Sequence, residues 1–464
     1  MNIVDHYRAE FLSHETHFPG TGAAWLRQRR RDAFDRFAKF SFPSSHQEAW
    51  MHTPIDAITQ RPYRSSDGGQ LRDSETRSES VSEPSRNNLS HLYLPDSNSH
   101  CLVFLNGRYA RQLSRPGNLP GGVIAGSLAD NSDAYPEVLE KHLDCHVAAA
   151  APSAGFAALN GAFWPDGAFV YLPAGVIVEA PIHLLFISTL EDEKIITHPR
   201  ILIVAEENSA AAVVEHFTSL GGESYFTNAV TEISLGANAN VKHCKIQNEA
   251  NQALHIAMLQ AYQAKDSHFA SHSVSVGGRL TRNDINAVIG AEGGECMLDG
   301  LYMVNKRQHV DYHTRIEHTK SHSASRQRYK GVIAGKAHGV FNGQVYVHPD
   351  AQHTDAKQKN ENLLLSPDAQ MNTKPQLDIF ADDVQCSHGA TVGQLDTNMI
   401  FYLRARGIAT DMATSLLTYG FVNEILNLAP VPAIKPRLGE ITLSKLPNAD
   451  KLKDQMLELV PHAV

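Results

Sequence analysis

From about Ala168 to Leu395 the chain never settles into a helical repeat. Short runs of Val, Ile, Leu, Phe and Ala alternate with polar residues, and turn residues interrupt them every 13 to 33 positions. Pro173-Ala174-Gly175, Glu207-Asn208, Gly236-Ala237-Asn238, Ala291-Glu292-Gly293-Gly294, Gly335-Lys336-Ala337 and Ala381-Asp382-Asp383 are such turns. Pro349-Asp350-Ala351-Gln352 even recurs as Pro367-Asp368-Ala369-Gln370, 18 positions later. Alternation with a period of two belongs to strands. Strands this short cannot bury a face singly, but stacked into coils they can, so the pattern predicts a β-solenoid. The strict six-residue repeat of left-handed β-helices is absent, which favours a right-handed or irregular coil. A β-sandwich and a cupin-like barrel are the competing architectures.

The flanks differ in texture. Residues 1–64 read as helical: Trp25, Leu26, Ala33, Phe34, Phe37 and Phe40 form one apolar stripe, and Phe42-Pro43-Ser44-Ser45 ends it. Arg27-Gln28-Arg29-Arg30-Arg31 falls on the solvated face of that helix. Residues 65–90, dominated by Ser, Arg, Glu, Asp and Gly, are expected to form a disordered linker, because so few apolar side chains cannot offset ordering entropy. Residues 91–167 form a mixed α/β segment, with a strand over Cys101–Tyr109 that enters an Asn106-Gly107 turn and a short helix around Val138–Leu143. The solenoid occupies 168–395. Residues 396–464 turn helical again through Ile408, Met412, Leu416, Leu417, Phe421, Ile425 and Leu426; Pro430 and Pro432 end that run, and a last helix is expected around Lys451–Leu459.

Composition excludes several functions. A net charge of −9 gives no electrostatic footprint for nucleic acid or anionic membrane. The five cysteines, at 101, 145, 244, 296 and 386, contain no CxxC pair, which argues against a disulfide framework or a zinc ribbon. No segment approaches the 18 or so apolar residues of a membrane span, and the first residues lack a basic region followed by an apolar stretch, so the chain is expected to be cytoplasmic. GxxxxGK[ST], GxGxxG and GxSxG motifs are missing, which speaks against a self-contained nucleotide- or hydride-using enzyme.

Three polar clusters remain. On a strand, His309, Asp311 and His313 share one face while His318 takes the other, so these histidines and His322 read as polar faces of coils rather than one metal site. Asp382 and Asp383 are adjacent and face opposite ways, so with Asp378 they read as a turn, not as the paired carboxylates of a glycosidase. Cys386 and His388 are two apart and share a face, where a thiolate and an imidazole can meet one soft or borderline metal.

Here the wording becomes specific. Asn362-Leu363-Leu364-Leu365-Ser366, Asp368-Ala369, the run Asn372 to Val384, Cys386-Ser387-His388-Gly389-Ala390-Thr391-Val392-Gly393 and Ile400 to Ile408 resemble the carboxy-terminal core of the SufB/SufD family. His46-Gln47-Glu48-Ala49-Trp50 with Thr53-Pro54 is similar to that family's amino-terminal HExW…TP element, and Val214-Glu215-His216-Phe217 and Val340-Phe341-Asn342-Gly343 also fit. The SufD branch is the nearer one: Asn360 stands where SufB carries its cluster-building cysteine, and Gly389 follows the histidine where SufB has glutamate.

The resemblance implies a right-handed parallel β-helix between helical ends and a non-catalytic scaffold role in the SUF iron–sulfur assembly complex. It implies pairing with SufB near the carboxy-terminal end of the β-helix, with His388, and less firmly Cys386, at the interface as transient ligands or proton relay for a nascent cluster. It places SufC, the ATPase, on Phe401, Tyr402, Arg404, Arg406 and Gly407 and along the following helix at Met412, Leu416 and Phe421. SufC closure would rearrange the SufB interface. No cofactor is held permanently; reduced flavin in the complex and a homodimer of the isolated chain stay open. The alternatives are a β-helix enzyme acting on polysaccharide and a purely structural interaction solenoid.

Overall fold

The computed structural model describes residues 3–60, 62–66, 85–94, 99–147, 153–189, 195–221 and 224–447. Its strands begin with β1 Arg64–Ser65, β2 His100–Leu105, β3 Arg108–Tyr109, β4 Ile124–Ser127, β5 Gly167–Leu172, β6 Ile182–Ser188 and β7 Ile195–Thr197. β8 Arg200–Ala205, β9 Ala210–Ser219, β10 Phe226–Leu235, β11 Asn240–Asn248, β12 Leu254–Gln263, β13 His268–Ser275 and β14 Leu280–Ile289 follow. The last are β15 Glu295–Val304, β16 His309–His318, β17 Ala324–Ile333, β18 His338–Val347, β19 Thr354–Leu364, β20 Gln370–Ile379 and β21 Val384–Gly393. Helices are α1 Ile3–His14, α2 Ala24–Phe40, α3 Asp56–Thr59, α4 Leu128–Asn131, α5 Pro136–His142, α6 Ala154–Phe163, α7 Thr397–Ala405, α8 Thr410–Leu426 and α9 Lys435–Ser444.

From β8 onward the chain alternates between two sheets, each strand pairing in parallel with the strand two places on. That is a β-helix of about seven coils, the mostly-β solenoid expected. The corners are stacked left-handed residues: Asn208, Asn238, Asp266, Gly293, His322 and His353 all have φ between 54° and 74°. Asn208 N–H donates to the Ala237 carbonyl (2.9 Å), Asn238 to Lys265 (2.8 Å), Asp266 to Glu292 (2.9 Å) and His322 to Gln352 (3.0 Å), so each corner is hydrogen-bonded to the next coil. Asn, Asp and Gly tolerate this conformation where β-branched residues do not. The two Pro-Asp-Ala-Gln copies are successive corners, before β19 and before β20, and each tucks its alanine (Ala351, Ala369) into the interior.

The amino-terminal helices cover the outer face of the even-numbered sheet. Tyr7, Phe11, Phe34, Phe37, Phe42, Phe156 and Phe163 pack there with Phe226, Ile256 and Leu280. The carboxy-terminal helices cover the odd-numbered sheet: Val422, Ile425 and Leu426 meet Ile246, Val274, Leu301 and Val332. The Asn106-Gly107 turn is as expected, with both residues at positive φ between β2 and β3.

Several expectations need correction. Arg30 is not solvated; it is buried, donates to the carbonyls of Ala162 (3.2 Å) and Trp164 (3.0 Å), and stacks on Trp164. Phe40 leaves the apolar stripe and is exposed. At both of its ends the expected linker is ordered. Ser65 belongs to β1, which pairs with β7, and Leu89 is fully buried beside Leu92 and Tyr93; residues 67–84 lie outside the described residues. A helix, α9, already stands at 435–444, while the one expected around 451–459 lies outside the described residues.

Candidate functional site

The amino-terminal HExW…TP element fastens its region to the β-helix. Trp50 stacks on the guanidinium of Arg282 (3.6 Å), and Thr53 donates to Asp311 (2.5 Å). Arg282 is wholly buried. It donates to the Ala49 carbonyl (2.7 Å), to Asp311 (2.6 Å) and to both oxygens of Asp284 (3.1 and 2.9 Å). Burial alone would push the Asp311 carboxyl up; Arg282 and His313 overcome it and hold it well below the usual range.

In its middle coils the β-helix interior carries charged side chains. His243 lies 3.1 Å from Glu215, His255 2.8 Å from Glu249, and Lys245 2.9 Å from His255 and 2.6 Å from Asn283. Burial pushes the Lys245 amine down to about 8. Nearer the last coils the polar interior is neutral. The Tyr302 hydroxyl donates to Asn362 (2.6 Å), and Asn360 donates to Tyr302 (3.0 Å) and accepts from Thr373 (2.8 Å). Sequence reasoning noted Asn360 only for what it replaces; nothing local revealed this network, which joins strands 58 to 60 residues apart.

β20 and β21 close the two sheets, and among the described residues each pairs on one side only. Cys386 is the register partner of Ala356 and His388 that of Gln358, both buried in the interior column. Both side chains therefore sit in the interior column, as their spacing predicted, yet Cys386 is half-buried and His388 exposed because no coil covers them. Burial pushes the Cys386 thiol up, which favours the protonated form at neutral pH. Below His388, the buried Gln358 carbonyl oxygen has no hydrogen-bond partner among the described residues. One thiol and one imidazole fall short of the four ligands of an iron–sulfur cluster, and no group of three or more His, Cys, Asp or Glu side chains that could hold a metal exists among the described residues.

Beside this end, α7 exposes Met399, Phe401 and Tyr402 at 56%, 71% and 55%, and none of its residues is buried. Arg404 is exposed, Arg406 stacks on the Tyr402 ring (3.9 Å), and Gly407 ends the helix at φ 86°. α8 is placed otherwise. Met412 is buried, and Leu416 and Phe421 pack on the same apolar cluster. The Phe421 ring also lies 4.2 Å from the Lys330 amine.

The sequence comparisons meet this geometry. A family described as SUF system FeS cluster assembly, SufBD core domain, matches residues 186–421, and the SufBD protein N-terminal region matches 1–184. The chain belongs to the SufB/SufD family. It is 32% identical over 385 residues to the iron–sulfur cluster assembly protein SufD of Escherichia coli, covering 82% of this chain and 84% of that one. A SufBD family protein of Synechocystis is 31% identical over 437 residues, 92% and 93% of the two chains. The chloroplastic protein ABCI7 of Arabidopsis thaliana is 31% identical over 393 residues, 83% and 82%. The family junction near 185 falls between β6 strand residues, later than the 168 boundary read from texture. The histidines at 309–322 do not converge: His318 turns inward to Ser323 (2.7 Å) and Ser325 (2.9 Å), while His313 faces Asp311 (3.2 Å) outside. Asp383 lies in a corner beside His353 (3.0 Å), and Asp378 accepts from Gln344 (2.5 Å). No helix among the described residues is long and apolar enough to cross a membrane.

Proposed function

We propose that this chain is a scaffold subunit of the SUF machinery that acts without catalysis of its own. It extends both sheets of its open end with those of a SufB-type subunit and docks a SufC-type ATPase on α7. The observation that carries this reading is the uncovered last coil. Among the described residues the two edge strands β20 and β21 each pair on one side only, and β21 carries the inward-facing thiol and imidazole. Exposed edges are templates for further pairing, and pairing here would bring a second chain's ligands to Cys386 and His388. The nascent cluster is cargo, and the remaining ligands come from the partner; no residue set is assigned to reduced flavin.

Phe401, Tyr402, Arg404 and Arg406 supply the aromatic and arginine types enriched at interface hot spots. Met412, Leu416 and Phe421 hold α8 against β15 and β17, so force applied at α7 would reach the β-helix two strands in from the SufB edge. ATP-driven closure of the docked pair would then rearrange that interface between two states. The test is anaerobic co-expression with SufB- and SufC-type proteins, followed by solution mass and stoichiometry. One copy of this chain, one SufB and two SufC are expected. If SufB and SufC assemble fully while this chain runs alone, the scaffold reading falls.

A further inference from the structure

One interior column of the odd-numbered sheet changes character on its way to the open end. Leu298, Gln327, Gln358 and His388 are successive register partners on β15, β17, β19 and β21. Leu298 belongs to the apolar core, whereas Gln327 and Gln358 are amides buried to 1% and 3% exposure. The two amides form a ladder. Gln327 donates to the Thr314 hydroxyl, and Gln358 Nε2 donates to Gln327 Oε1 (2.5 Å). Gly343 leaves room for it, since a Cβ there would run into the Gln358 amide nitrogen.

The ladder stops one bond short. Gln358 Nε2 is turned back to Gln327, while its buried Oε1 has no hydrogen-bond partner among the described residues. A buried acceptor left unsatisfied is costly, so this oxygen calls for a donor. Its neighbours are poor sources. Pro375, the register partner of Gly343, has no N–H. Cys386 already hydrogen-bonds to the Ala356 backbone, and the Asn360 amide donates to the Tyr302 hydroxyl and the Tyr329 carbonyl. His388 stands one strand spacing, about 4.8 Å, beyond Gln358, and its exposed ring is free to turn onto that oxygen.

A neutral imidazole that donates one ring N–H to a carbonyl keeps a lone pair on the other nitrogen, and the acceptor decides which nitrogen that is. We propose that Gln358 is the positioning residue for His388: its oxygen accepts one ring N–H, fixes the tautomer and aims the other nitrogen out of the open end toward the nascent cluster. The ladder behind it strengthens the acceptor, because each hydrogen bond polarises the next. This rests on the reading of His388 as a transient ligand and adds a buried residue that acts only through it.

The test uses the full chain with nitrogen-labelled histidine rings, at a pH of about 8 where imidazole is neutral. His388 is assigned by comparison with His388→Ala. In the wild type its two ring nitrogens should resonate far apart, one protonated and one not. Gln358→Met, similar in length but without the amide, should narrow that separation. Gln358→Glu keeps an acceptor oxygen, and the Gln327 amide and Thr314 hydroxyl can reverse to donate toward it, so the separation should return. With SufB- and SufC-type proteins, Gln358→Met should assemble in wild-type stoichiometry yet mature clusters at least tenfold more slowly, and Gln358→Glu should recover most of the rate. An equal separation in the wild type and Gln358→Met, or normal maturation in Gln358→Met while His388→Ala fails, would overturn the positioning role and leave the scaffold reading standing. Normal maturation in His388→Ala would overturn both, since no ligand then needs positioning. If Gln358→Met does not fold, the wild type and Gln358→Glu decide, and averaged ring shifts in either overturn the assignment.

Discussion

The middle coils and the last coil are built from the same kind of strand, yet they end in opposite states. In the middle, Arg282 lies between Asp284 and Asp311 under Trp50 with no exposure, and Lys245 is sealed inside with two glutamates and two histidines nearby. On the last coil, Lys374 meets Glu48 with half or more of each side chain in water, and His388 occupies an interior position while exposed. The alternation is the same; what differs is whether another coil or a helix follows. Burial in a solenoid is thus a property of neighbours, and among the described residues the last coil has one on one side only.

The comparison can be broken first where its energy is largest. Arg282→Ala leaves two buried carboxylates uncompensated and should cost about 3–5 kcal/mol, read by urea unfolding. A loss below 1 kcal/mol would mean that the amino-terminal region is not anchored there. Next comes acid. Burial pushes His183, His198 and His272 down to about 3, and His309 and His318 to about 4. Unfolding returns each to its ordinary value near 6.5, so the unfolded chain takes up protons that the folded chain refuses. Stability present at pH 7 is therefore lost as pH falls below about 6.5, at about 1.4 kcal/mol per unit for each histidine. Melting temperatures should stay level from pH 7.5 to about 6.5 and fall from there to pH 5; a flat profile throughout contradicts this.

A smaller effect belongs to the neutral network near the open end. Tyr302→Phe should cost about 1–3 kcal/mol by leaving the Asn362 side-chain oxygen without its donor and removing one acceptor of Asn360. Smallest of all on stability, His388→Ala and Phe401→Ala should each stay within about 0.5 kcal/mol in the isolated chain. Their effects should appear only with partners. His388→Ala is expected to assemble but lose cluster maturation, and Phe401→Ala to lose ATPase capture in a pull-down. Normal maturation with His388→Ala would return the chain to a purely structural role.

Much of this was legible because strand alternation is local. The period of two placed His318 opposite His313, and Cys386 beside His388, from spacing alone. The corners at Asn208, Asn238 and Gly293 were legible because Gly and Asn mark left-handed backbone, whereas His322 and His353 take the same conformation without such a mark. Arg30 was misjudged because its place on a helix face says nothing about the Trp164 that covers it, 134 residues away. α6 was missed for another reason: Ala154–Phe163 is buried on every side and has no amphipathic signature.

By itself, then, the sequence determined the solenoid, its corners, its helical flanks and its family, since each depends on residues close together or on wording shared with relatives. Only the tertiary structure decided that Trp50 and Thr53 meet Arg282 and Asp311, that five strands bring Gln260, Asn286, Arg315, Gln344 and Gln376 into one register row, and that the thiol and imidazole of β21 lie uncovered. Those facts depend on register between strands about thirty residues apart and on which coil stacks last, and no local pattern encodes either.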